Sequence, residues 1–287
     1  MDKFIKQAFT LIELLVVIAI IGILSGLIVV SMGGMTTKAT IAKAQVFSNS
    51  LRNALMLDLV SEWKFDGTLT DSWNGGNNGT WYSPINSSAA NYRPSTECIS
   101  GQCLSFDGTD DYVAINDKNN LDIVSKMTIA IWVKKVNSTT LGKGILTKEG
   151  LGGYTLVLDY ITADSKISFV APTIDSRKMS NALDDNWHCI VLTIDESSNS
   201  LKFYLDGNLD SSQTATGTLA ANTSNILLGY RSNYFSGLMD EIRIYSDVIP
   251  TSQIKENYYS GLNSLFANGN INKQEYNQRL INLLAIK

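Results

Sequence analysis

The chain has 287 residues, with 27 acidic side chains against 23 basic ones and a net charge of -4. So slight a charge leaves no electrostatic footprint for a nucleic-acid partner. A single histidine, His188, excludes chemistry built on paired histidines or on a multi-histidine zinc site. Three cysteines, Cys98, Cys103 and Cys189, contain no CxxC spacing, which excludes a zinc ribbon or a thioredoxin motif. The length suffices for one large β-sandwich with additional helices.

The first element is apolar. Leu14 to Val30 is interrupted only by Gly22, Ser25 and Gly26, and its 17 residues make about 26 Å of helix. That is near the lower limit for a membrane span, and Phe9 to Ile12 extend it. Lys3 and Lys6 precede it and favour a cytoplasmic N-terminus. Ser31-Met32-Gly33 is a poor cleavage site, which argues against an ordinary secretory signal. Glu13 stands at the start of the run. A carboxylate costs about 2.5–3.5 kcal/mol at the centre of a membrane helix, less near its edge, so it marks a function.

The run Phe9-Thr10-Leu11-Ile12-Glu13-Leu14-Leu15, continuing through Leu24, resembles the type IV pilin and pseudopilin family. The resemblance implies cleavage of a leader, residues 1–8, between Ala8 and Phe9, where the family normally has Gly before the cut. It further implies methylation of the new Phe9 amine and lateral assembly of the helices. Glu13 would then pair with a neighbouring subunit's amine. The implied partners are other pilin-like subunits, a leader peptidase and the inner membrane. The implied location is the inner membrane before assembly, then a cell-surface or periplasmic filament. Beyond Gly33-Gly34, the residues Ile41, Ala44, Phe47, Leu51, Ala54, Leu55 and Leu59 fall mostly at three- and four-residue steps. This predicts an amphipathic helix, and an assembly segment spanning residues 9–60.

From Glu62 the periodicity becomes alternating. Met127–Val133, Ile190–Ile194 and Leu201–Leu205 read as strands, the last two joined by a polar loop. Leu201, Phe203 and Leu205 should face a core, and Lys202 and Tyr204 the other side. Several segments resemble the LamG-like, concanavalin A-like jelly-roll family. They are Trp63-Lys64-Phe65-Asp66-Gly67, the Asn/Gly-rich stretch Asp71–Thr80, and Cys103–Val113 with its Phe106-Asp107-Gly108. Three more follow: Asn186–Asp195, Phe203-Tyr204-Leu205-Asp206-Gly207 and Phe235–Tyr245. The resemblance implies two antiparallel sheets over residues 61–250, often with carbohydrate or protein binding and a structural calcium. The predicted fold class is therefore α+β: a long N-terminal membrane and assembly helix, an antiparallel β-sandwich, and a short C-terminal helical tail over 251–287. In that tail Pro250 opens one helix, Gly261 ends it, and Asn272 three residues before Glu275 opens another. Tyr276, Leu280, Leu283 and Leu284 form its apolar stripe.

The candidate chemistry is sparse. His188 has no legible nucleophile or acid beside it and reads as structural. The acid pairs Asp240-Glu241 and Asp110-Asp111 are strand neighbours, which face opposite sides and cannot share a hydrolytic cleft. No enzyme is expected. Alternation puts Asp240 on the core side with Leu238, Ile242 and Ile244, where a carboxylate needs a cation or several donors. Calcium held by Asp71, Asp240 and carbonyls of the Asn74–Asn78 loop is the expected answer; Arg243 or a backbone amide is the alternative. Trp63, Trp73, Trp81 and several tyrosines either stack on sugars or fill the core. Cys98 and Cys103 flank a short turn of an exported domain and are expected to form a disulfide worth about 2 kcal/mol. Cys189 is then a free buried thiol. The functional expectation is a pilus or pseudopilus subunit displaying the jelly roll for adhesion, with glycans as the expected ligand. A purely structural subunit and a displayed glycan hydrolase are the rivals. Intact mass of membrane-extracted protein should lack the first eight residues; a mature chain that keeps Met1 or starts after Ser31 would overturn the pilin-type processing.

Overall fold

The computed structural model describes residues 58–73, 76–85, 89–136 and 140–284. The leader, Ala8, Phe9, Glu13 and the assembly helix as far as residue 57 lie outside them. Among the described residues no helix is long and apolar enough to cross a membrane.

Fifteen strands form among the described residues. The first five are β1 (Leu59–Trp63), β2 (Gly79–Tyr82), β3 (Tyr92–Arg93), β4 (Cys103–Asp107) and β5 (Tyr112–Ile115). The next five are β6 (Lys126–Lys135), β7 (Lys143–Lys148), β8 (Tyr154–Leu158), β9 (Ile167–Ala171) and β10 (Ile174–Lys178). Then come β11 (His188–Asp195), β12 (Ser200–Leu205), β13 (Asn208–Thr214), β14 (Ile226–Leu228) and β15 (Ser236–Tyr245). Two helices close the chain, α1 (Thr251–Ala267) and α2 (Lys273–Leu284). All strand pairs are antiparallel. One sheet runs β13-β12-β11-β6-β15-β4-β3, with β1 also on β15; the other runs β10-β9-β8-β7-β14-β5-β2.

The sheets enclose one core and the helices cover a second. Inward residues of both sheets, among them Ile129, Ile131, Leu192, Leu201, Phe203, Leu156 and Phe169, fill the space between them. The opposite face of the first sheet carries Trp132, Cys189, Val191, Tyr204 and Tyr245, and onto these α1 and α2 lay Ile254, Tyr258, Leu262, Leu265 and Leu283. Both faces of β6 and β11 are therefore buried, so these strands read as unbroken apolar runs. Tyr204 leaves the inner core as alternation requires, yet it is buried under the helices.

The structure corrects four sequence readings. Leu59 and Val60 begin β1 instead of ending the amphipathic helix, because Leu59 pairs with Tyr245 and Trp63 with Ile242. Asp240 is not on the inner side with Ile242 and Ile244. A bulge between Asp240 and Arg243 inserts Glu241 at φ 48°, so Met239, Ile242 and Ile244 face the inner core while Asp240 turns to the outer face. Gly261 does not end α1. It lies within the helix against Trp132, whose ring stacks on Tyr258 at 5.5 Å, and the helix stops at Asn268-Gly269. Leu284 is 68% exposed, whereas Tyr276, Leu280 and Leu283 do face the second core. Asn272 caps α2 by accepting the Glu275 N–H at 2.9 Å.

A Cβ at Gly261 would overlap the Trp132 ring. Gly261→Val should therefore push α1 off the sheet and cost about 1–3 kcal/mol, read as a lower urea midpoint. An unchanged midpoint would show that the helix is not pressed against Trp132.

Candidate functional site

β2 and β5 pair with Trp81 opposite Val113 and Tyr82 opposite Tyr112. Alternation then sends Trp81 inward, where it meets Phe106 at 5.7 Å, and sends both tyrosines outward. The Tyr82 and Tyr112 rings stack at 4.9 Å and 7° from parallel. The segment after β14 brings two more rings. Tyr230 and Tyr234 bridge each other and their rings lie 4.6 Å apart. Tyr112 is 5.8 Å from Tyr230 and 6.5 Å from Tyr234. Gly144 permits this approach, since a Cβ there would overlap the Tyr230 backbone. Phe235, buried against Phe106, anchors the segment from below. Tyr82 is 43% exposed and the other three rings are half-buried, so the cluster forms an aromatic patch on the outside of the second sheet.

An acidic turn adjoins it. Asp110 and Asp111 are not strand neighbours as read from the sequence but lie in the turn between β4 and β5, where they and Asp107 offer carboxylate oxygens that all lie within 4.8 Å of one another. The turn is folded by its own acids: Thr109 N–H donates to Asp107 Oδ1 at 2.7 Å and Asp107 N–H to Asp111 Oδ2 at 2.9 Å. Asp110 accepts the Ile85 N–H. Burial, aided by the charges of Asp107 and Asp110, pushes the Asp111 carboxyl up. Tyr234 is likewise pushed up, first by burial, then by Tyr230 and Tyr112, then by Asp110. The acid turn thus lies within electrostatic range of the aromatic patch. Asp110 and Asp111 are buried, so the turn offers the surface only the exposed Asp107, while the ring faces supply an apolar stacking surface.

The expected calcium ligands meet a different environment. Asp240 is fully buried, and both its oxygens accept amides: Ile99 N–H at 2.9 Å and Ser100 N–H at 3.2 Å on Oδ2, and Glu241 N–H at 2.8 Å on Oδ1. Asp71 accepts Glu62 N–H and Trp73 N–H on Oδ1 and Asn77 N–H on Oδ2. Amide dipoles turn their positive ends to these carboxylates, where a cation would have to sit. Asp71 and Asp240 do not fit calcium; backbone donors, the alternative at Asp240, occupy both. Burial, reinforced by Glu241, still holds Asp240 well above the usual carboxylate range against the pull of its three amides. Cys98 and Cys103 form a disulfide, and Cys189 is a free thiol, buried and pushed far up by desolvation. Trp63 is wholly buried with its Nε1–H on the Asn77 carbonyl, and Trp73 and Trp81 pack against the two cores.

Beside Asp240 the bulge leaves a charged group on the outer face. Arg243 lies between Glu62, at 2.7 Å, and Glu241. Burial would raise Glu62, yet Arg243 and Ser72 hold it below its ordinary value; burial keeps Glu241 above. His188, at the start of β11, has Nδ1 2.9 Å from Asp206 and Nε2 3.0 Å from Asp184, with Asp206 also accepting the Cys189 N–H. A neutral imidazole has one N–H, whereas two carboxylates call for two, so the geometry is that of imidazolium. Burial alone would lower the pKa; the hydrogen bonds and charges of Asp206 and Asp184 outweigh it and raise it.

Sequence reading named the tryptophans and left the tyrosines of the patch unspecified. Tyr82 beside an inward Trp81, and Tyr112 beside an inward Val113, carried a signal of outward orientation. Their pairing with Tyr230 and Tyr234, more than a hundred residues on, carried none.

Two antiparallel sheets packed face to face, with strands adjacent in space drawn from distant parts of the chain, define a jelly-roll sandwich. The chain belongs to the concanavalin A-like lectin/glucanases superfamily, which matches residues 107–255. Residues 4–29 match the prokaryotic N-terminal methylation motif, so the pilin-type segment and the jelly roll are fused in one chain. Domain 4 of an extracellular arabinanase from Geobacillus stearothermophilus, in complex with arabinotriose, is 18% identical with a TM-score of 0.56, over 69% of this chain and 97% of that one. The binding domain of Paraclostridial Mosquitocidal Protein 1 is 15% identical with a TM-score of 0.58, over 73% and 53%. The botulinum neurotoxin serotype D ligand-binding domain in complex with N-acetylneuraminic acid is 16% identical with a TM-score of 0.57, over 74% and 53%. The chain thus spans about half the length of these two binding-domain structures. Identity this low shows a common fold. No curated protein matches.

The raised His188 pKa fixes the sign of a pH effect. Its contribution is fully present below the unfolded value of about 6.5 and is lost as pH rises through the higher folded value. The urea midpoint should fall between pH 6 and pH 9, and His188→Gln should flatten that fall. Equal slopes in both proteins would show that His188 is not charged in the fold.

Proposed function

We propose that this protein is a pilin-like filament subunit whose jelly roll binds glycans through the patch of Tyr82, Tyr112, Tyr230 and Tyr234, and that the filament thereby adheres. The observation that carries the reading is the patch itself. Four rings stand together on an outer sheet face, one of them 43% exposed, near an acidic turn in which Asp107 is exposed while Asp110 and Asp111 are buried. Buried aromatics elsewhere serve the two cores; here Tyr82 is exposed and the other three rings are half-buried. Two similar folds are seen with arabinotriose and with N-acetylneuraminic acid, which supports a sugar as the ligand class. The methylation motif supports assembly into an array. Arrayed weak sites gain roughly 10²–10⁴ in avidity where geometry permits, so each patch need bind only weakly.

One observation favours a rival in which the domain only builds the filament. The helices leave Tyr259, Phe266, Ile281 and Leu284 exposed, an apolar surface suited to a neighbouring subunit. The readings separate by substitution. Tyr82→Ala and Tyr234→Ala should each weaken glycan binding about fivefold, the loss of roughly 1 kcal/mol at an interface ring. Filament number should stay unchanged. Adhesion that survives both substitutions on normally assembled filaments would leave the structural reading standing.

A further inference from the structure

The turn closed by Cys98 and Cys103 is a junction of three parts of the molecule. Its first amides, Ile99 and Ser100, donate to the buried Asp240 carboxylate of β15. Its last, Gln102, donates to Asp66 Oδ1 at 2.8 Å, next to the end of β1. Its carbonyls face the other way, toward the helices. Asn268 Nδ2 donates to the Ile99 carbonyl at 3.3 Å, and Asn270 Nδ2 to the Cys98 carbonyl at 2.9 Å and the Ser95 carbonyl at 3.2 Å. Both asparagines belong to the turn between α1 and α2. The helical hairpin is thus fastened at its tip to the backbone of the disulfide-closed turn. The same turn completes the wall of the second core, where both cysteines have 0% exposure.

Those acceptor carbonyls point outward only while the turn keeps its shape. Without the covalent tie, the chain between residues 98 and 103 regains backbone freedom, and the asparagine contacts must then carry an ordering cost that the disulfide has already met. Conversely, thiol–disulfide exchange needs a thiolate to reach a sulfur in line with the S–S bond. Both sulfurs are buried in the core that the helices complete, so that core must open before a reductant can act.

We propose that the Cys98–Cys103 disulfide is a redox latch for the C-terminal helical hairpin: oxidation licenses docking of α1 and α2, and the docked helices then shield the bond. Closure consumes a disulfide-bearing oxidant of the compartment outside the cytoplasm. One cysteine thiolate attacks the oxidant disulfide and displaces one of its sulfurs, forming a mixed disulfide. The second cysteine thiolate then displaces the remaining sulfur and the Cys98–Cys103 bond forms. Two thiols of the protein lose two electrons and two protons, and the oxidant leaves as a dithiol. The hairpin would therefore stay loose on a reduced chain and lock once the domain has been exported.

Two measurements on the full chain in detergent micelles test the latch. In the first, amide hydrogen exchange is compared between the oxidised protein and the Cys98→Ser/Cys103→Ser variant. Exchange across residues 251–284 should rise at least tenfold while β6 and β11 stay protected; equal protection of the hairpin in both proteins overturns the proposal. The second applies also if the cysteine variant fails to fold. Oxidised Asn268→Ala/Asn270→Ala protein is treated with dithiothreitol and the freed thiols are counted by alkylation. Reduction should run at least tenfold faster than in the parent chain, and an unchanged rate overturns the proposal.

Discussion

The fold turns on one buried carboxylate. β15 is the strand that touches most of the first sheet, yet its outer edge is shared: β4 pairs with Ser236–Met239 and β1 with Ile242–Tyr245. Between them lies a gap of two residues. Glu241 crosses it in a left-handed conformation at φ 48°, which costs on the order of 1 kcal/mol or more for a side chain of that kind. Asp240 fills it, and the amides of the disulfide-closed turn enter the gap to satisfy that carboxylate. An unmet carboxylate at this depth would not be tolerated. The bulge, the partner switch and the turn therefore stand or fall together.

The two outer faces of the sandwich are put to different uses. On the first sheet the helices bury Trp132, Tyr204 and Tyr245, and aromatic area there contributes to stability. On the second sheet Tyr82 is exposed and Tyr112 half-buried, with no helix of the described residues over them. Buried ion pairs brace that sheet at both ends of β7. Lys143 meets Asp159 at 2.8 Å, and Lys148 meets Asp117 at 2.5 Å as well as the carbonyls of Asn222 and Ser224. Such pairs contribute less to net stability than to a single geometry, because breaking one strands a charge. A stiff frame is what a shallow aromatic patch needs, since rings that are already ordered lose little entropy on meeting a ligand.

Much of the architecture was legible because it rests on local rules. The apolar run Met127–Val133 marks a strand, alternation in Leu201–Leu205 marks another with either face resolved, and Asn272 before Glu275 marks a helix start. The misreadings share one cause. Leu59 satisfies a helical period and a strand period alike, and only its pairing with Tyr245 decides between them. Gly261 reads as a helix end until Trp132 is seen to require a residue without a side chain. Asp240 is placed on the wrong face by strict alternation, because one inserted residue reverses the side of everything before it. The expectation that Asp240 is buried holds on either face, and backbone amides, the alternative to a cation, satisfy its carboxylate.

By itself the sequence determined that an apolar segment with a lone Glu13 precedes a chain of alternating strands, and that Cys98 and Cys103 stand close enough to bond. Each of these depends on neighbours within a few residues, or on a motif written in continuous order. Only the tertiary structure decided that four tyrosines from β2, β5 and the segment after β14 form one surface, and that Asp240 is held by a turn some 140 residues earlier in the chain. Those arrangements depend on strand register and on a bulge. Both are set by the packing of two sheets against each other, and no local pattern of residues encodes them.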